Sequence, residues 1–122
     1  MKATKEQLKQ HIGKEVWIEP LGNLKPRGKD RCETLINGII QNVSNINVTF
    51  EKDIGIYETS KIKIDGSFDR HNCGGYIYLT KEDALKDIWR DNFVKDLRYT
   101  LDLSSLTYED CKIIEQMLKK EQ

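Results

Sequence analysis

Long apolar runs are missing from this chain of 122 residues. No stretch approaches the roughly 20 apolar residues that a membrane-crossing helix requires, so no membrane partner is expected. Net charge is missing too. Twenty basic and twenty acidic residues cancel, which removes any global attraction to nucleic acid or anionic lipid and leaves only local patches to supply it. Cysteine is scarce: Cys32, Cys73 and Cys111 are odd in number, far apart and without a CxxC pair. That pattern excludes a disulfide framework and predicts reduced thiols in a cytoplasmic protein. The opening Met1-Lys2-Ala3-Thr4-Lys5 leads into polar sequence, which argues against a secretory signal. Walker-type loops, GxGxxG and a nucleophile elbow are all absent, and the lone Gly74-Gly75 reads as turn chemistry. Enzymatic activity and a cofactor are therefore not expected.

What is present fits one globular domain over residues 1–122. A 38% hydrophobic and 33% charged composition supports a single core under a well-solvated surface. Thr4-Lys5-Glu6-Gln7 has capping-box spacing, and Leu8 and Ile12 share a helical face ahead of Gly13, which predicts a short helix over 5–12. Lys14 to Glu19 reads as a strand stopped by Pro20. Leu21 to Cys32, with Gly22, Pro26 and Gly28, reads as a long loop. A second strand spans Thr34 to Val43, with Gly38 marking a bulge or bend. After turn chemistry at Ser44-Asn45, Ile46, Val48 and Phe50 alternate in a third strand. The fourth is expected over 56–64, before the Asp65-Gly66 turn, and the fifth over Tyr76 to Leu79.

Thr80 then opens a helix over 81–100, spaced for a capping box with Asp83. Ala84, Leu85, Ile88, Trp89, Phe93 and Leu97 recur at helical steps and predict the packing face, with Trp17 and Trp89 both assigned to the core. Thr107 to Asp110 caps a last helix over 108–120, with Cys111, Ile114 and Leu118 on one face and Ile113 and Met117 beside it. Short strands joined by one long first loop and tight later turns predict an α+β domain. Its centre is a five-stranded SH3-like small β-barrel over 14–79, with one helix before it and two after.

The Ile12 to Val16 entry, Arg27-Gly28, Gly38 to Val43, Val48-Thr49-Phe50 and the Tyr76 to Ala84 junction resemble small β-barrel proteins encoded by phages and prophages of low-GC Gram-positive bacteria. That family carries no assigned activity or catalytic residues. The resemblance implies expression in the cytoplasm of an infected host. It also implies action by binding, and in some cases inhibiting, a host protein such as a restriction or CRISPR nuclease.

Several clusters merit weighing as sites. Lys25, Arg27, Lys29 and Arg31 alternate, and in an extended segment all four would project to one side and could reach phosphates. This is the basis of an alternative reading as a nucleic-acid-binding barrel. Asp30 and Glu33 dilute the charge and no aromatic residue interleaves to stack bases, so a solvated loop is the competing account. Asp69, His71 and Cys73 combine zinc-compatible ligand types, but a structural site needs a fuller set, for which Cys32, Cys111 or His11 would have to be brought in. As a nucleophile–base pair, Cys73 and His71 are weaker than a loop thiol beside a solvated imidazole. Asp83, Asp87 and Asp91 share a helical face with Lys95, either as solvated surface or as an acidic face for a basic partner. The Cys111-Ile114-Leu118 face is where a homodimer would form if the chain does not cover it; otherwise a monomer is expected.

Overall fold

A computed structural model of the chain describes residues 1–54, 59–100 and 102–120. Helix α1 (Lys5–Lys9) is opened by a complete capping box: Thr4 Oγ1 accepts from the Gln7 N–H at 3.2 Å, and Gln7 Oε1 accepts from the Thr4 N–H at 2.9 Å. It is shorter than the expected 5–12. The chain turns through Gln10 to Gly13, whose φ is +83, so Ile12 is left exposed while Leu8 is buried. A helix this short has no independent stability. Leu8 in the core and the Gly13 N–H, donating to the Ile40 carbonyl at 2.7 Å, hold it in place.

The strands are β1 (Glu15–Gly22), β2 (Ile36–Val43), β3 (Asn47–Phe50), β4 (Lys61–Lys63) and β5 (Cys73–Tyr78). They form a five-stranded antiparallel sheet in the order β4-β3-β2-β1-β5. With α1, α2 (Lys81–Thr100) and α3 (Tyr108–Lys120) the protein is α+β. No ladder joins β4 to β5 among the described residues.

Several expected boundaries move, each for a physical reason. Strand β1 does not stop at Pro20. Beyond Ile18 it has no β2 partner and continues against β5 alone, with Pro20 opposite Gly75; a residue lacking an N–H is tolerated on such an open side. The irregularity in β2 falls between Ile40 and Asn42 rather than at Gly38. Gly38 serves packing instead, since a Cβ there would lie 3.0 Å from Phe50 Cδ1 and 3.3 Å from Ile18 Cδ1. Strand β5 begins at Cys73, not Tyr76, and Ile46 lies outside β3 and is exposed. The expected start of the fourth strand, at residues 56–58, lies outside the described residues.

Alternate residues of the strands fill the core. Val16, Ile18, Ile40, Val48, Phe50, Ile62 and Ile77 pack with Leu8, Leu24, Ile54 and Cys73. The opposite face of β1 and β5 carries Trp17 and Glu19 across from Tyr78 and Tyr76. Tyr78 is fully buried, as are Ala84 and Ile88 of α2. The apolar face predicted for α2 is thus corrected: Ala84 and Ile88 are buried, whereas Leu85, Trp89, Phe93 and Leu97 are exposed, Trp89 to 66%. Of the two tryptophans assigned to the core, Trp17 is half-buried beneath the Lys81 ammonium, 5.2 Å from its ring centroid.

The chain divides into two compact units, Met1–Arg90 and Asp91–Gln122. Among the described residues every buried position lies in the first. In the second, Asp102 accepts from the Ser104 N–H and O–H and opens a single 3-10 turn, Leu103–Ser105. Helix α3 starts with a reciprocal box: Asp110 N–H donates to Thr107 Oγ1 at 3.1 Å, and Thr107 N–H donates to Asp110 Oδ2 at 3.0 Å.

Candidate functional site

The basic loop leaves β1 at Gly22, whose φ is +60 and where any Cβ would sit 2.2 Å from the Asn72 carbonyl oxygen. Turn hydrogen bonds from the Leu24 N–H to Leu21 O and from the Lys25 N–H to Gly22 O fold the segment back. Leu24 anchors it in the core. Because the loop is turned rather than extended, the alternation does not align four cations. Lys25, Arg27 and Lys29 are exposed and, with Gly22, Asn23, Pro26 and Gly28, line an open hollow of about 650 Å³. Arg31 leaves this set. It sits on a 3-10 turn, Arg31–Glu33, and its guanidinium grips the Glu19 carboxylate with two bonds, Nε to Oε2 at 2.5 Å and Nη2 to Oε1 at 2.9 Å.

Glu19 is only 2% exposed, so this fork-to-fork pair keeps a charge from being stranded in the sheet. Nearby, burial first and then the carboxylates of Asp87 and Glu19 push the Tyr78 hydroxyl well above the usual phenol range. That hydroxyl is buried and makes no hydrogen bond of good geometry among the described residues, although the Asp87 carboxylate lies near enough to raise its pKa. The Met1 amine approaches Asp87 at 3.4 Å. The cluster was not singled out in the sequence. Its only signal there is a carboxylate at Glu19 directly after Val16-Trp17-Ile18, where a half-buried strand needs a cation to accompany it.

The Asp69–Cys73 segment is a structural turn. The Asp69 carboxylate accepts from the Cys73 N–H at 3.1 Å and the His71 N–H at 2.7 Å, and these bonds hold its pKa below the usual carboxylate range. Asn72 takes φ +57 as the chain enters β5. Cys73 is a core residue rather than a loop thiol; burial, with the Asp69 charge, pushes its pKa up. Its Sγ lies 3.6 Å from the His71 carbonyl, while the His71 side chain is exposed. A raised pKa is the opposite of what a nucleophile needs. Among the described residues no three His, Cys, Asp or Glu side chains gather where they could hold a metal ion.

The acidic residues of α2 are less solvated than a free helix face. Asp83, Asp87 and Asp91 are each half-buried, at the positions just before or after the buried Ala84 and Ile88 in the helical repeat. In the second unit, Val94, Leu97, Arg98 and Leu103 line an open hollow of about 270 Å³. Phe93, Tyr99, Tyr108, Ile113, Met117 and Leu118 are exposed there as well. This concentration of uncovered apolar side chains was predicted only in part, through the Cys111-Ile114-Leu118 face. Leu97 was expected to be covered.

No protein-family model, no curated protein and no solved structure matches the chain. No helix among the described residues is long and apolar enough to cross a membrane.

Proposed function

We propose that this protein is a non-enzymatic binding module, a phage or prophage accessory protein that engages a host protein such as a defence nuclease in the host cytoplasm. The observation that carries the binding reading is the hollow lined by Val94, Leu97, Leu103 and Arg98. An apolar concavity beside a guanidinium fits a protein segment that presents an aliphatic or aromatic anchor next to a carboxylate. The host-factor element of the proposal comes from the resemblance to phage-encoded small barrels. The sheet is read accordingly as an SH3-like barrel. Two features support this. Strand β2 pairs with β1 through residues 36–39 and with β3 through 40–43, bonded on both sides at Ile39 and Ile40 just before its irregularity. Ile62 Cδ1 of β4 also comes within 3.4 Å of where a Cβ on Gly75 of β5 would lie.

Affinity capture from host lysate tests the proposal. The intact chain should retain one protein in stoichiometric amount, and Leu97→Asp or Leu103→Asp should abolish its retention, while Arg27→Ala with Lys29→Ala should leave it intact. Retention unaffected by the leucine variants would remove the hollow from the interface. A second reading, nucleic-acid binding, is favoured by the exposed Lys25, Arg27 and Lys29 around their own hollow. It requires a salt-sensitive shift of DNA or RNA by the purified protein, weakened and flattened in salt dependence by Arg27→Ala with Lys29→Ala.

A further inference from the structure

Phe68 is 48% exposed, although it lies in the unit that holds every buried position among the described residues. Its ring leans on two glycines. A Cβ on Gly74 of β5 would come within 2.9 Å of the Phe68 Cδ1, and one on Gly22, at the end of β1, within 3.3 Å of its Cζ. Gly22 is also where the basic loop begins, so the exposed ring stands at the root of that loop. The loop is in turn stitched to the segment before β5: Asn23 Nδ2 donates to the His71 carbonyl at 2.7 Å, and the Asn23 N–H donates to the Asn72 carbonyl at 2.8 Å. Arg70 and His71 of that segment, with Lys61 and Lys63 of β4, line a second open hollow of about 470 Å³. Cations from the loop and from this second hollow thus neighbour one exposed ring. We infer that together they bind single-stranded nucleic acid, with Phe68 stacking a base and the cations holding the phosphates beside it.

The inference rests on the nucleic-acid reading and extends its site from one loop to three segments, and from charge alone to a stacking ring. Positive grooves that carry an aromatic ring suit single strands, whose bases are free to stack on it; in a duplex each base is already covered on both faces. An acidic peptide would satisfy the cations and leave the ring without a planar partner. Among the described residues, none of Lys25, Arg27, Lys29, Lys61 and Arg70 forms an ion pair. The carboxylates near Lys63 are engaged within their own turns: Asp65 accepts from the Ser67 N–H and O–H, and Asp69 from the N–H groups of His71 and Cys73. With no net charge on the chain, attraction is confined to this patch. The ring is far from the loop in sequence, which is why no aromatic residue interleaves with the loop's cations there.

Fluorescence anisotropy of a labelled oligothymidylate of about 20 nucleotides, titrated with the full chain, tests the site. Binding should weaken with salt and should exceed that of the same strand paired with oligoadenylate. Phe68→Ala should weaken it about tenfold without changing the salt slope, because the ring carries no charge. Phe68→Leu keeps an apolar contact with the glycines and should lose as much, whereas Phe68→Trp should retain binding; this separates stacking from packing. Lys61→Ala with Arg70→Ala should weaken binding and reduce the salt slope by about 1.4, since each phosphate contact on a single strand contributes about 0.7. Equal affinity for the duplex, full binding by Phe68→Leu, or an unchanged slope in the Lys61 and Arg70 variant would each overturn the inference. Loss through Arg27→Ala with Lys29→Ala alone would keep the loop as a nucleic-acid site and remove Phe68 and the second hollow from it. No binding of any oligonucleotide at low salt would end both readings.

Discussion

Glu19 shows how one side chain can define the chemistry around it. Its strand neighbours are apolar, yet it is as buried as they are and holds Arg31 by two bonds. Removing the cation strands the anion. Arg31→Ala should therefore cost about 3 kcal/mol in urea unfolding, whereas Glu19→Leu with Arg31→Leu should recover most of that loss, because an apolar pair carries no desolvation penalty. A loss within experimental error for Arg31→Ala would show that Glu19 finds other solvation. The cysteines make a second test at this scale. Cys32 and Cys111 are exposed, and Cys73 is buried with its thiol pKa raised. In the native protein at neutral pH, a thiol-reactive probe should titrate Cys32 and Cys111 quickly and Cys73 only on unfolding. Rapid labelling of Cys73 in the native state would contradict its placement in the core.

At the scale of the element, caps and rotation behave differently. Thr4 with Gln7, Thr80 with Asp83 and Thr107 with Asp110 mark helix starts that the structure keeps: Thr80 Oγ1 accepts from the Asp83 N–H at 3.1 Å, and the other two boxes are reciprocal. A cap involves residues three apart, so sequence contains all of it. Which way α2 faces is another matter. Ala84 and Ile88 compete for burial with Leu85 and Trp89 one position on, and periodicity cannot separate two stripes of one broad apolar arc. The smaller pair is the buried one, and the Asp87 carboxylate acts on Tyr78 from the same side of the helix. Ile88→Ala should cost about 2–4 kcal/mol through the cavity it leaves. Trp89→Ala should cost clearly less, because that side chain is largely exposed. Chemical denaturation of the two variants decides it, and the reverse order would mean that the helix is turned.

For the whole molecule, burial is confined to the first unit: among the described residues nothing beyond Ile88 is buried. A chain truncated after Lys95 keeps every core residue and nearly two further turns beyond Ile88. It should fold cooperatively and melt within a few degrees of the full chain, since about 1 kcal/mol moves the midpoint of a domain this size by only about 4–8 °C. A truncated chain without a cooperative transition would show that the second unit supports the first.

Much of this molecule was determined by sequence alone. Capping pairs, the Ser44 and Asp65 turns, and the alternation of Val16 with Ile18 and Val48 with Phe50 involve neighbours along the chain, whose geometry is settled within a few residues. The continuation of β1 through Pro20, the ion pair of Glu19 with Arg31, the burial of Cys73, the packing role of Gly38 and the rotation of α2 were decided only by tertiary structure. Each depends on what stands opposite, namely Gly75, the 3-10 turn, the core, Phe50 and Tyr78. The candidate surfaces divide in the same way. Lys25, Arg27 and Lys29 were legible as cations, but the turned loop that gathers them around a hollow, and the pairing that removes Arg31, arise from contacts distant along the chain.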